Sequence, residues 1–288
     1  MIFTLFLKII MMLSAGPEIP VLSYSTAVIR PIYEAKYPEI SANKAVVFSP
    51  TDRAFFFQKN SREVQAIASI SKLMTALVFL DHNPSWDESY IISSDDKIEG
   101  GRLNLFPGDE VTISDLFKTS LIASDNGATI ALVHASGLDE NEFVVKMNEK
   151  ASKLGLTNTF FTDPIGLSDK NVSSAREIAI LAQEALSRPE IKEAVSLAEY
   201  SYLTVSGREK KIESTDHLLF APENKGLKSL GGKTGYTDEA GYCFVGKFLD
   251  EKGKEFISVV LDSQDKNSRF IESRDLVISV LKNYEISR

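Results

Sequence analysis

The chain has 288 residues, 43 % apolar and 25 % charged, a composition that buries a substantial core and excludes wholesale disorder. Its 32 Lys and Arg against 40 Asp and Glu leave a formal net charge of -8, which disfavours general binding to phosphate backbones. The single cysteine, Cys243, excludes an internal disulfide and a cysteine-built zinc cage.

Residues 1–13, MIFTLFLKIIMML, are apolar apart from Thr4 and Lys8. The run is shorter than the ~20 residues a spanning helix needs and fits the apolar region of a secretory signal. Small residues suited to cleavage follow at Ser14, Ala15, Gly16, Ser23 and Ser25. Residues 1–25 are expected to be a signal-like or tethering segment, and residues 26–43 an irregular lead-in containing Pro31 and Pro38. Ala45–Phe48 and Ala54–Gln58 read as a hairpin around Ser-Pro-Thr-Asp. Phe55-Phe56-Phe57 suggests a strand buried on both faces. Ile70–Leu80 carries apolar residues at helical spacing, and residues 81–110 are polar and turn-rich. Helical segments are expected near 114–121, 126–136, 140–154 and 174–186. Beyond Pro189 the pattern turns to strands, at Tyr200–Val205, Tyr242–Leu249 and Glu255–Leu261, before a final helix over Ser268–Tyr284. The expected fold class is α+β: an antiparallel sheet from N- and C-terminal segments, flanked by helices, with a mostly helical lobe inserted at about 100–190. Residues 44–288 are expected to form this one domain, without a second C-terminal domain.

Three short motifs carry chemistry. Ser69-Ile70-Ser71-Lys72 opens the first helix, where positions i and i+3 share a face and a neutral lysine can take a hydroxyl proton. SxxK occurs five times, at Ser41, Ser69, Ser94, Ser263 and Ser279; only Ser69 leads straight into an apolar helix, and the others read as solvated pairs. Ser124-Asp125-Asn126 sits between two helical segments. It reads either as a helix cap or as a loop that points a hydroxyl and an amide into a cleft. Lys233-Thr234-Gly235 follows two glycines and precedes a strand. It reads either as a glycine-rich hairpin or as an edge strand offering ammonium and hydroxyl to a carboxylate, with Gly235 letting a substrate backbone pass close. KTG occurs once, against about 0.06 chance occurrences from residue frequencies. Cys243 and His134 read as packed side chains, and no metal site is expected because His82, His134 and His217 lie far apart.

The order SxxK, SDN, KTG is the motif set of penicillin-binding proteins and class A β-lactamases. From about Lys44 to Asn283 the chain resembles the low-molecular-mass penicillin-binding proteins, the D-alanyl-D-alanine carboxypeptidases and endopeptidases. Ala68–Ala76 resembles their nucleophile segment, and Pro107-Gly108-Asp109 their approach to SDN. Leu154-Gly155-Leu156 and Thr162–Leu167 resemble the loop at the cleft floor, with Asp163 and Ile165 where the family often has asparagine or histidine. Gly232–Thr237 with Ala240-Gly241 resembles the KTG strand and its turn. The resemblance implies a serine peptidase acting on peptidoglycan stem peptides and acylated by β-lactams, with no cofactor and no metal. Ser69 would be the nucleophile. Lys72 would be the base, with its pKa lowered by Lys233 and by burial. Ser124 would return the proton and Asn126 would bind the peptide amide. Lys233 and Thr234 would hold the carboxylate, and the N–H groups of Ser69 and Tyr236 would form the oxyanion hole. The implied location is the periplasm or the outer face of the cytoplasmic membrane, with a membrane tether through the N-terminal segment as one form. A class A-like β-lactamase is opposed by the lack of an ExxLN motif between 155 and 190. A catalytically idle module that binds penicillin or wall peptide is the other alternative.

Overall fold

The computed structural model describes residues 35–96, 104–221 and 226–284. The signal-like segment 1–25 and the first part of the lead-in lie outside them.

The hairpin signal is met by β1 (Lys44–Ser49) and β2 (Ala54–Lys59). After the short strand β3 (Val64–Ala66), a 3-10 turn over Ala68–Ser71 runs into α1 (Lys72–Asp81). Helix α1 is buried from Lys72 through Leu80, as befits a helix that is apolar on every side and fills the centre of a core. Short strands β4 (Ser89–Ile91) and β5 (Glu110–Thr112) pair with each other before the helical region. That region comprises α2 (Ile113–Ile122), α3 (Asn126–Ala135), α4 (Glu140–Lys153) and α5 (Ala175–Ala185), with β6 (Val172–Ser174) ahead of α5 and paired to β3. Each of these helices starts on a side-chain cap: Thr112, Asp125, Asp139 and Ser174 accept from the third backbone N–H beyond them, which satisfies one of the orphan donors there.

Helix α6 (Pro189–Ser196) is a difference from the sequence reading. Pro189 changes the character of the chain because it opens a helix at N1, where its missing N–H costs nothing. The strand expected at 200–205 is β7 (Glu199–Leu203). It pairs with β8 (Glu209–Glu213) in a hairpin of its own rather than joining the main sheet.

The chain ends with β9 (Leu227–Thr237), β10 (Gly241–Asp250), β11 (Glu255–Ser263) and α7 (Ser268–Asn283). The main sheet has five strands in the order β2-β1-β11-β10-β9, all neighbours antiparallel. Alternation along the strands splits the core. Val46, Phe48, Val245, Ile257 and Val259 join the cluster of α1 and α5, whereas Ala45, Val47, Phe244, Phe256 and Val260 pack with Phe270, Leu276 and Val277 of α7. Both faces are covered, so the strands read as continuous apolar runs. In β2 a bulge beside Val47 and Phe48 lets Phe55 face one cluster while Phe56 and Phe57 face the other. The outer strand β9 carries the KTG residues, and the turn that carries Ser69 packs against it.

Candidate active site

The three motifs meet in one cleft of about 260 Å³, lined by Ser69, Ser124, Asn126, Thr234, Gly235 and Tyr236 among others. Ser69 stands on the 3-10 turn, half-buried, while Lys72 one turn later is wholly buried. Ala68 holds the turn in the left-handed region at φ 48°, a conformation that costs a non-glycine residue energy and marks functional sites. The Ser71 hydroxyl donates to Ala68 O at 2.8 Å and steadies it.

Lys72 Nζ has three neighbours at hydrogen-bond distance: Ser69 Oγ at 3.0 Å, Asn126 Oδ1 at 2.7 Å and Ile165 O at 2.6 Å. Burial pulls the Lys72 amine down to about 7, against the opposing pull of Asp163 and Asp125. Burial, rather than the expected charge of Lys233, leads this shift. The like-charge effect falls on Lys233 instead, which lies well below the ordinary lysine range through burial, Lys72 and Arg269.

In Ser124-Asp125-Asn126 the cap and the cleft readings both hold, for different residues. Asp125 caps α3 through Ala128 N at 2.8 Å and accepts from Asn104 N and Nδ2. Ser124, at φ 57°, turns its hydroxyl to Lys233 Nζ at 2.7 Å. Asn126 turns its amide oxygen to Lys72.

On β9, Lys233 also donates to Thr234 O at 3.0 Å, and Thr234 Oγ1 donates to Thr215 Oγ1 at 2.7 Å. Gly235 has a packing role: a Cβ there would lie 2.7 Å from Ile67 O and 3.1 Å from Ala68 Cβ, so the missing side chain lets the strand press against the turn that carries Ser69. Tyr236 is 49 % exposed, its ring against Tyr242 with centroids 4.4 Å apart.

The floor is the loop after α4, where Thr162–Leu167 resembles the family's cleft floor, and Asn171 beyond it is the residue that no motif announced. Asp163 accepts from the backbone N–H groups of Ile165, Gly166 and Ser168. Asn171 accepts from Thr162 N and Asp163 N, and donates to Asp163 O and Ser71 Oγ. These bonds aim the Ile165 carbonyl at Lys72. Gly166, at φ 84°, has no room for a side chain because Ala68 O would lie 2.1 Å from its Cβ. Ala123, Leu167, Thr215, His217, Lys266 and Arg269 complete the lining. Arg269 Nη1 donates to Gly235 O at 3.1 Å and braces the strand from α7. No sequence signal marks a backbone acceptor such as Ile165 O; the resemblance places Asp163 in the floor loop but not its bonds, and Asn171 is legible only as a turn-former.

The remaining candidates fall elsewhere. Cys243 is buried, its thiol donating to Ala240 O and pushed up to about 12 by burial, which makes it inert. His134 is not simply packed: its Nδ1 lies 2.7 Å from Asp96 Oδ1. His217, expected at most at the rim, stands in the wall, stacked on Phe270.

The D-alanyl-D-alanine carboxypeptidase family model matches residues 32–265. A D-alanyl-D-alanine endopeptidase of Haemophilus influenzae is 34 % identical over 71 % of this chain and 69 % of its own length. The carboxypeptidase DacF of Bacillus subtilis is 32 % identical over 85 % of this chain and 63 % of its own. Among solved structures, penicillin-binding protein D2 of Listeria monocytogenes in its cefotaxime-bound form is 34 % identical. It superposes with a TM-score of 0.73, covering 85 % of this chain and 99 % of that one. With a match across most of its length and the three motifs converging on one cleft, the chain belongs to the D-alanyl-D-alanine carboxypeptidase family of serine peptidases.

Proposed function

We propose that Ser69 is the nucleophile of a D-alanyl-D-alanine peptidase, carboxypeptidase or endopeptidase, that acts on peptidoglycan stem peptides. The observation that carries this assignment is the environment of Lys72. Ile165 O and Asn126 Oδ1 are acceptors, so each takes an N–H from the amine. A neutral amine has two N–H bonds and one lone pair. With both N–H bonds committed, the lone pair is left for the third neighbour, Ser69 Oγ, at 3.0 Å. The amine is held at about 7 by burial, so a neutral base is populated at neutral pH.

In this scheme Lys72 takes the Ser69 proton as Oγ attacks the carbonyl between two D-alanine residues. The backbone N–H groups of Ser69 and Tyr236 hold the developing oxyanion, each worth about 10²–10³ in rate. Collapse breaks the peptide bond, and the departing amine receives its proton through Ser124. Asn126 contacts the peptide amide. Lys233 and Thr234 hold the terminal carboxylate. Water then hydrolyses the acyl-enzyme and frees Ser69. β-Lactams acylate the same hydroxyl; the relative from Listeria has been solved with cefotaxime and with ampicillin. The work site of such an enzyme is outside the cytoplasm, which fits export, cleavage or tethering through residues 1–25.

The test is intact mass of the full chain after mixing with a labelled penicillin. A single adduct, absent from Ser69→Ala, is expected to persist for minutes or longer. An adduct that vanishes within seconds would favour a β-lactamase, and a folded protein with no adduct would favour an idle binding module. D-Alanine release from a pentapeptide against cleavage of a cross-linked dimer then separates the two peptidase activities.

A further inference from the structure

Strand β8 carries a buried lysine to which the scheme above gives no task. Its residues Glu209, Lys211 and Glu213 are exposed, whereas Lys210 and Ile212 face inward. Ile212 packs with Ile122 and Ala123, the two residues ahead of Ser124. Lys210 reaches a second support of the same loop. Its Nζ donates to Asp109 Oδ2 at 2.6 Å and to the Asn104 carbonyl at 2.9 Å, and lies over the Phe106 ring, 5.0 Å from its centroid. An ammonium has three N–H bonds, and these neighbours occupy them. Asp109 is held from other directions as well: Oδ2 accepts from Phe106 N at 2.9 Å, and Oδ1 accepts from Arg208 Nη1 at 2.8 Å. Burial pushes the Asp109 carboxyl up, but the bonds from Lys210 and Phe106 N outweigh it and hold the group below the ordinary carboxylate range.

The carbonyl that Lys210 binds belongs to the residue that holds Asp125. Asn104 donates to Asp125 Oδ2 through its backbone N at 2.9 Å and its Nδ2 at 2.8 Å, while Asp125 Oδ1 accepts from Ala128 N. One oxygen of Asp125 is thus tied to the start of α3 and the other to Asn104. A continuous run of hydrogen bonds leads from Asp109 through Lys210 and Asn104 to Asp125, the residue next to Ser124. Ser124 itself stands at φ 57°, a backbone that persists only where its surroundings over-determine it. We infer that Lys210 is a positioning residue of the reaction: by binding Asp109 and the Asn104 carbonyl together it fixes Asn104 on Asp125, and so fixes the corner from which the Ser124 hydroxyl meets Lys233. The inference rests on the proposed task of Ser124 as the proton donor to the departing amine.

Lys210→Met keeps an unbranched apolar stem and removes the charge and its donors. Parent and variant are compared by their acylation rate constants at saturating penicillin, under conditions where each is fully folded. The rate constant is expected to fall about tenfold in the variant, as for a displaced reacting group. Joined to Ser124→Ala, the same substitution is expected to cost no more than about twofold, because the hydroxyl it positions is already gone. A purely structural role would lower the denaturation midpoint and leave the rate constant within about twofold of the parent's, or cost the same in both backgrounds; either kinetic result would overturn the inference. A second readout needs no turnover. In hydrogen-exchange NMR the Asn104 and Ala128 N–H groups, which both bind Asp125, are expected to lose about tenfold or more in protection relative to the amides of α5. Unchanged relative protection at both would also overturn it. A parent that penicillin does not acylate would instead sink the proposed reaction, and the exchange comparison would still decide whether Lys210 holds the loop. Should Lys210→Met fail to fold by circular dichroism, its combination with Asp109→Asn leaves no buried charge unpaired and keeps an oxygen for Phe106 N, and the same comparisons decide.

Discussion

Lys72 shows how position alone turns an ordinary base into a reactive one. Its stem is enclosed by the most buried helix of the molecule and its tip meets a hydroxyl, an amide and a carbonyl. Desolvation disfavours the ammonium and brings the amine to about 7. In the proposed scheme Lys72 acts as base in its neutral form, so activity is lost as pH falls. Penicillin acylation is expected to fall about tenfold per unit below that value and to level off above it, as stopped-flow acylation rates against pH would record. Lys72→Arg keeps a cation that does not lose its proton in this range. Its acylation rate is expected to drop by about 10²–10⁴-fold, and a variant within threefold of the parent would remove Lys72 from the role of base.

At the scale of elements, the site is a set of close approaches between strand β9, the turn that carries Ser69 and the floor loop. Gly235 presses on Ile67 and Ala68 from one direction, and Gly166 presses on Ala68 from another. Ala68 and Ser124 take left-handed backbones at the two corners where the Ser69 and Ser124 hydroxyls are presented. Gly235→Ala places a methyl group 2.7 Å from Ile67 O, and backbone on both sides cannot move aside as a side chain would. Overpacking of this kind costs about 1–3 kcal/mol. The variant is expected to unfold at a lower temperature and to be acylated more slowly, since relief of the clash moves Ser69 relative to β9. Unchanged acylation by a destabilised Gly235→Ala would show that the turn position is not set by this contact.

At the scale of the whole molecule, the sheet separates two cores with different duties. The cluster around α1 and α5 carries the site, whereas Phe244, Phe256 and Val260 with Leu276 and Val277 of α7 form a core on the opposite face. Leu276 is fully buried there. Leu276→Ala is expected to cost about 2–5 kcal/mol in chemical denaturation while leaving the acylation rate of the folded fraction unchanged. A matching loss of acylation would mean that the two faces are coupled through the sheet.

The sequence by itself determined the class of the fold and picked out the three motifs that meet in the cleft. Apolar spacing marks α1, α2, α3, α4, α5 and α7 because a helix must bury one stripe, and the strands around the final hairpin because alternation matches the pleat. The three polar motifs are local enough to read, since each chemical group lies within a few residues of its partner in the motif. Tertiary structure decided what depends on residues far apart in the chain. It alone set α6, a helix of eight residues too short to show more than two turns of its stripe, and the pairing of the three short strand pairs, which gain stability only from their neighbours. It alone placed Ile165 O against Lys72, since a backbone carbonyl carries no sequence signature and is aimed by Asp163 and Asn171. It also assigned the depressed lysines their causes: desolvation is a property of what surrounds a group, and nothing within four residues of Lys72 or Lys233 reveals how deeply each is buried.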